Sequence, residues 1–233
     1  MRRVQIACAA MLLACAGFVA LFASAAGSYP GGTHWDHTTV GHDFWRNCLC
    51  DVARGQALNG ASNARGGVLA QLGMASLALA LLPMFWLLPR FFAAARPRLG
   101  AVVRAFGAVA VPAALVVVLL PTDRFSQVHG VAIVVAGVPG LLAVLLSVYG
   151  LACDRGAPRV VLATGAAALG VAALDFALYV REVVTDCPAL VAISVLERLA
   201  TLLLLAWIGA VAWYAPRVAR RSAEPRPYSS SSS

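Results

Sequence analysis

Lysine is absent from this 233-residue chain and acidic side chains number only 10, so just 12% of the residues are charged. Soluble domains carry about 25% charged residues, and this shortfall excludes an ordinary water-soluble fold. Long polar stretches are also missing: the only sizeable segment between apolar runs is 27–65. That leaves no room for a nucleotide-binding domain, and neither a Walker loop, a GxGxxG after a strand, nor a GxSxG elbow occurs. HExxH, CxxC spacing and paired histidines on one apolar run are lacking as well, so His34, Asp36, His37, His42 and His129 offer metal-ligand chemistry without ligand spacing. The sequence therefore implies no metal and no cofactor.

What the chain has in quantity is apolar surface, at 61% hydrophobic residues and a mean hydropathy of +0.82. A helix that crosses a bilayer needs roughly 20 apolar residues. Six such runs are present, at 4–26, 66–88, 103–120, 128–152, 160–180 and 190–214. Backbone in lipid must satisfy its own hydrogen bonds, which predicts an all-α, polytopic bundle of six transmembrane helices over residues 1–216. Residues 217–233, rich in Arg and Pro and ending in serines, read as a disordered tail. Arg2, Arg3 and the small residues Ala23, Ser24 and Ala25 give the first run some features of a signal peptide. Its length favours a retained helix, with five spans if it is cleaved.

The formal charge of +8 comes from arginine alone. Arg2, Arg3, Arg90, Arg96, Arg98, Arg104, Arg155, Arg159, Arg217, Arg220, Arg221 and Arg226 fall on one side of the bilayer, and Arg46, Arg54, Arg65, Arg124, Arg181 and Arg198 on the other. Arginine excess marks cytoplasmic loops, so both termini are expected inside, in a multi-pass protein of the cytoplasmic membrane. The positive charge is topological, which argues for membrane lipids as partners and against nucleic acid; protein partners are not legible. Pro83, Pro112 and Pro139 fall inside spans, where kinks and close packing account for them.

Polar chemistry collects on the outer side. In the 27–65 loop, Val40, Phe44, Cys48 and Val52 recur every fourth residue, predicting a short amphipathic helix capped by Thr39, with His42, Asp43, Arg46, Asn47, Cys50 and Arg54 on its other face. Asp51 follows in the same loop. Asp123 is expected just outside the third span and His129 at the mouth of the fourth. Asp175 lies in the fifth span, and Glu197 and Arg198 in the sixth. Ionisable groups in spans pair or line a cavity, which predicts an Asp175 to Arg198 ion pair, with Glu197 joining it or turned toward Arg181. An oxidising exterior permits a disulfide from Cys187 to Cys48 or Cys50.

Tyr29-Pro30-Gly31-Gly32, Gly41 to Asn47, Cys50-Asp51 and Asn59-Gly60, together with Pro121-Thr122-Asp123 and His129, resemble the outer-face motifs of the six-helix, DRAM-like membrane proteins grouped among bacterial and archaeal domains of unknown function. The resemblance covers most of the chain; Cys50-Asp51-Val52-Ala53 departs from the Ser-Asp-Leu-Gly expected there. It implies six helices and a polar outer site, and no reaction. The expected site combines Asp43, Asn47, Asp51, Asp123, His129, Asp175 and Arg198 beneath the loop. It would bind a lipid headgroup or small polar ligand, with Arg198 meeting an anionic group. A membrane hydrolase or transferase using His129 as general base is the alternative, and a small-solute transporter a third.

Overall fold

The computed structural model describes residues 1–185 and 191–221. Cys187, the expected disulfide partner, lies outside the described residues, as does the tail from Ser222. Seven α-helices are present among the described residues: α1 (Arg2–Gly27), α2 (Leu49–Val52), α3 (Ala64–Leu87), α4 (Pro97–Leu119), α5 (Thr122–Ala152), α6 (Arg159–Thr185) and α7 (Val191–Arg221). All but α2 are long and apolar enough to cross a membrane. The chain is an all-helical bundle of the kind that composition and run length predict. Residues 217–221, expected in the tail, instead continue α7.

The long helices close a ring in which α1 packs on α3, α3 on α4, α4 on α5, α5 on α6, α6 on α7 and α7 back on α1. One end is sealed by chain that doubles back. After α3, a 3-10 turn at Leu88–Phe91 touches α4, α5 and α7, and Leu87, Leu88, Phe91 and Phe92 are buried there with Met11, Val103, Leu151 and Trp207. Proline explains the change of course, because Pro89 has no amide to continue the α-helical ladder. The opposite end, called the loop end below, is roofed by residues 28–63, with a second small core of Ala25, Tyr29, Val52, Ala53, Ala57 and Ala70.

Four membrane-helix glycines each receive an aromatic ring. A Cβ at Gly107 would lie 2.6 Å from Phe85, at Gly137 2.4 Å from Phe176, at Gly150 2.8 Å from Phe92 and at Gly165 2.6 Å from Trp207. Small residues let neighbouring helices approach this closely, and here the space they leave is occupied by a ring. Gly170, by contrast, faces open space.

The loop differs from the amphipathic helix that its four-residue periodicity predicts. Gly41 has φ +75°, which a helix does not accept, and the Asp43 carboxylate accepts hydrogen bonds from the Trp45 and Arg46 amides at 2.9 and 3.1 Å. Those bonds stabilise a turn in place of a helix. Only Leu49–Val52 is helical, begun by Cys48, whose amide donates to the Asp51 carboxylate at 2.8 Å in a capping box. Val40, expected on the apolar stripe of that helix, is 94% exposed.

The glycine and ring pairs generate a direct prediction. Gly165→Val drives a side chain into the fully buried Trp207, and overpacking of this kind costs about 1–3 kcal/mol. Its melting temperature in detergent should fall, whereas Gly170→Ala should melt like the parent.

Candidate functional site

A cavity of about 560 Å³ opens beneath the loop and runs down inside the ring as far as Val144 on α5, Phe85 on α3 and Trp207 on α7. Helices α3 to α7 line it; α1 stands behind and contributes no wall. Three helices each present a continuous stripe. On α5 the stripe runs Thr122, Ser126, His129, Ile133, Gly137, Gly140 and Val144; on α6 Glu182, Tyr179, Asp175, Ala172 and Ala168; on α7 Ile193, Glu197, Thr201, Leu204 and Trp207. Spacings of three and four place each set on one helix face. The loop closes the top with His34, Trp35, Cys48, Cys50, Asp51 and Arg54.

Polarity changes with depth. Carboxylates, hydroxyls and imidazole line the first two to three turns below the loop. Deeper, α6 offers only Ala172 and Ala168, α4 Ala114 and Ala110, and α3 Leu81, Met84 and Phe85. Trp207 lies ten residues beyond Glu197, about 15 Å along the helix. It is fully buried, and its indole N–H has no hydrogen-bond partner among the described residues.

Thr122 to Arg124 form a first turn after Pro121, the backbone leaves helical geometry at Phe125 (φ −134°, ψ 37°), and the continuous run of α5 resumes at Ser126, so His129 lies about one turn into that run. Its Nδ1 is paired with the Leu120 carbonyl, which fixes the proton on Nδ1. Nε2 is then an acceptor. The residue is 4% exposed, lines the cavity, and its Nε2 has no partner among the described residues. Asp175 Oδ1 is likewise buried and unpaired.

The expected Asp175 to Arg198 pair does not form. Consecutive helical residues diverge by about 100°, so Glu197 faces the cavity while Arg198 faces α1 and the loop. Arg198 is 4% exposed, donates from Nε to the Phe44 carbonyl at 3.2 Å and from Nη2 to the Asn47 carbonyl at 2.6 Å, and lies against the Phe22 and Phe44 rings. Its Nη1 is 3.8 Å from Glu197 Oε2, which accepts the Leu49 amide at 2.8 Å. Arg198 is not among the cavity-lining residues, and its role as an anion receptor is corrected by this geometry.

The expected site residues thus divide. Asp51, His129, Asp175 and Glu197 line the cavity. His42, Asp43, Asn47, Asp123 and Arg198 hold the roof in place. Asn47 donates to the Gly32 carbonyl and accepts from the Asp43 amide; Asp123 Oδ2 accepts the Gly55 and Gln56 amides at 3.0 and 3.2 Å, latching the loop to α5. His42 packs edge-on between Tyr29 and Phe44. Tyr179 and Glu182 line the cavity without having been expected there; their spacing from Asp175, four and seven residues, was the available signal. Trp207 carries no such signal beside the surrounding apolar residues.

Burial, followed by the charge of Arg198, lowers the His42 pKa to about 4. His34 moves the other way, raised chiefly by its hydrogen bond to Asp51 at 3.0 Å. Burial pushes the Cys48 and Cys50 thiols well up, so neither is a ready thiolate; neither is bonded to another described cysteine. Among the described residues no group of three His, Cys, Asp or Glu could hold a metal ion. No family model, curated protein or solved structure matches the chain.

Two predictions follow from the roof. Arg198→Leu leaves the Asn47 carbonyl, buried, and the Phe44 carbonyl, part-buried, without this donor, and hydrogen bonds to a charged group contribute about 1.5–3 kcal/mol each. The variant should expose the 28–63 segment to protease under conditions where the parent resists.

The histidines set a pH window. Below pH 6.5 an unfolded His42 takes up a proton that the folded loop refuses, so loop stability declines from about 6.5 down to about 4. The His34 contribution is complete below its ordinary pKa and is lost as pH rises through its elevated one. Melts followed by tryptophan fluorescence should therefore show an acid-side decline that His42→Phe flattens and an alkaline-side decline that His34→Gln flattens.

Proposed function

We propose that the chain is a multi-pass protein of the cytoplasmic membrane, both termini inside, whose loop-end cavity faces outward and binds a lipid or other amphiphile. The polar end of the ligand sits beneath the roof and its apolar portion extends toward Trp207. Depth-dependent polarity carries this reading: one continuous space joins the carboxylates of α6 and α7 to a floor of Ala, Leu and aromatic side chains. The volume falls within the range of small-molecule sites, about 300–1,000 Å³. Arginine distribution supports the orientation, since Arg90, Arg96, Arg98, Arg104, Arg155, Arg159, Arg217 and Arg220 all lie at the end away from the roof. On this proposal the chain is a relative of the DRAM-like membrane proteins, on the strength of the loop motifs alone.

The bare Nε2 of His129 also suits a general base, which keeps a hydrolase or transferase as the second reading. Binding is favoured because the ring is oriented by a backbone carbonyl rather than a carboxylate, and no described hydroxyl or thiol is hydrogen-bonded to Nε2. Transport receives less support: α3, α4 and α5 run continuously past Pro83, Pro112 and Pro139, and the break in α5 at Phe125 lies in its first turn, whereas many transporters bind their substrates at helices broken near the midplane.

Native mass spectrometry of protein purified in mild detergent tests the reading. Wild type should retain a lipid or amphiphile, and Ala172→Phe, which fills the cavity from α6, should lose it while melting at a similar temperature. A wild type that flies bare, or a variant carrying the same adduct, would sink the proposal.

A further inference from the structure

The chemistry of the cavity wall specifies the charge and hydrogen-bonding character of what it holds. Resting on the amphiphile reading above, we infer that the polar end of the ligand is a cationic hydrogen-bond donor, a primary amine or amino-alcohol, and not an anionic headgroup.

Among the described residues four carboxylates line the cavity: Asp51, Asp175, Glu182 and Glu197. Arg54 is the one arginine among the described lining residues, donating from Nε to the Gln56 carbonyl at 3.2 Å and from Nη1 to Thr122 Oγ1 at 3.3 Å. His34 is paired with Asp51, and Arg198, turned into the roof, approaches Glu197 only with Nη1 at 3.8 Å. An anion would thus enter a low-dielectric space whose charge is mostly of its own sign, an arrangement that excludes partners strongly.

The unpaired atoms make the second, independent argument. His129 lines the cavity and is 4% exposed, and its buried Nε2 has no partner among the described residues; in the neutral ring, with Nδ1 on the Leu120 carbonyl, that nitrogen accepts. Asp175 Oδ1 is buried, unpaired and also an acceptor when ionised. Buried acceptors without donors are costly, and both lie in the polar half of one cavity. A group that supplies N–H or O–H bonds relieves both, and a positive charge balances the carboxylates around it. A quaternary ammonium supplies charge without a donor and satisfies only half of the requirement.

Four probes with a common twelve-carbon chain separate these terms: dodecylamine, dodecyltrimethylammonium, dodecanol and dodecanoate. Each is titrated at pH 7 against the full chain in nanodiscs, with Ala172→Phe as the baseline for partition into lipid. Dodecylamine is expected to bind at least about tenfold more tightly than dodecanoate, the gain expected from one charge-assisted hydrogen bond, with the quaternary ammonium between them. Asp175→Asn should narrow the gap between amine and carboxylate. If all four probes bind alike above the baseline, or dodecanoate binds tightest, the charge inference is overturned while the amphiphile reading stands. If no probe exceeds the baseline, the amphiphile reading itself falls. The comparison among probes is made on wild type, so it does not depend on any variant folding.

Discussion

The buried guanidinium of Arg198 is the contact on which the rest of the loop end depends. A charge in a span is expensive unless it is paired, and here Nε and Nη2 donate to two carbonyls of a segment that precedes it by about 150 residues in the chain, while Nη1 lies 3.8 Å from Glu197 without a hydrogen bond. The roof therefore cannot lift without stranding the charge, and α7 cannot rotate without releasing the roof. Glu197 strengthens the same joint from the next position by accepting the Leu49 amide. One arginine and one glutamate, adjacent in sequence and facing different ways, couple the lid to the wall beneath it.

That division also explains where sequence reasoning succeeded. Six spans follow from hydropathy because lipid imposes a length and an apolar surface on each helix separately, a constraint readable one run at a time. Asp175 and Glu197 stood out for the same reason, as ionisable groups set among apolar ones. Their partners did not. The predicted link from Asp175 to Arg198 assumed that matched depth implies contact, whereas the angle around α7 decides it, and that angle depends on which neighbour α7 packs against.

The loop was the least legible segment. Every fourth residue from Val40 to Val52 is apolar or nearly so, and periodicity alone favours a helix. Gly41 and the Asp43 side chain override it with local hydrogen bonds that a pattern of apolar positions does not register. Tyr179 and Glu182 illustrate the opposite case. Their register with Asp175 was visible in the sequence, and only the cavity gives that register a meaning.

Trp207 sets the floor of the cavity by resting on Gly165, where no Cβ intervenes. The depth of the space is thus set by a side chain rather than by the course of any backbone. On the proposed amphiphile reading, the ring and the glycine beneath it act as a ruler for the apolar part of the guest. Exchanging them would recalibrate the length accepted while leaving the helices, the roof and the polar upper wall where they are.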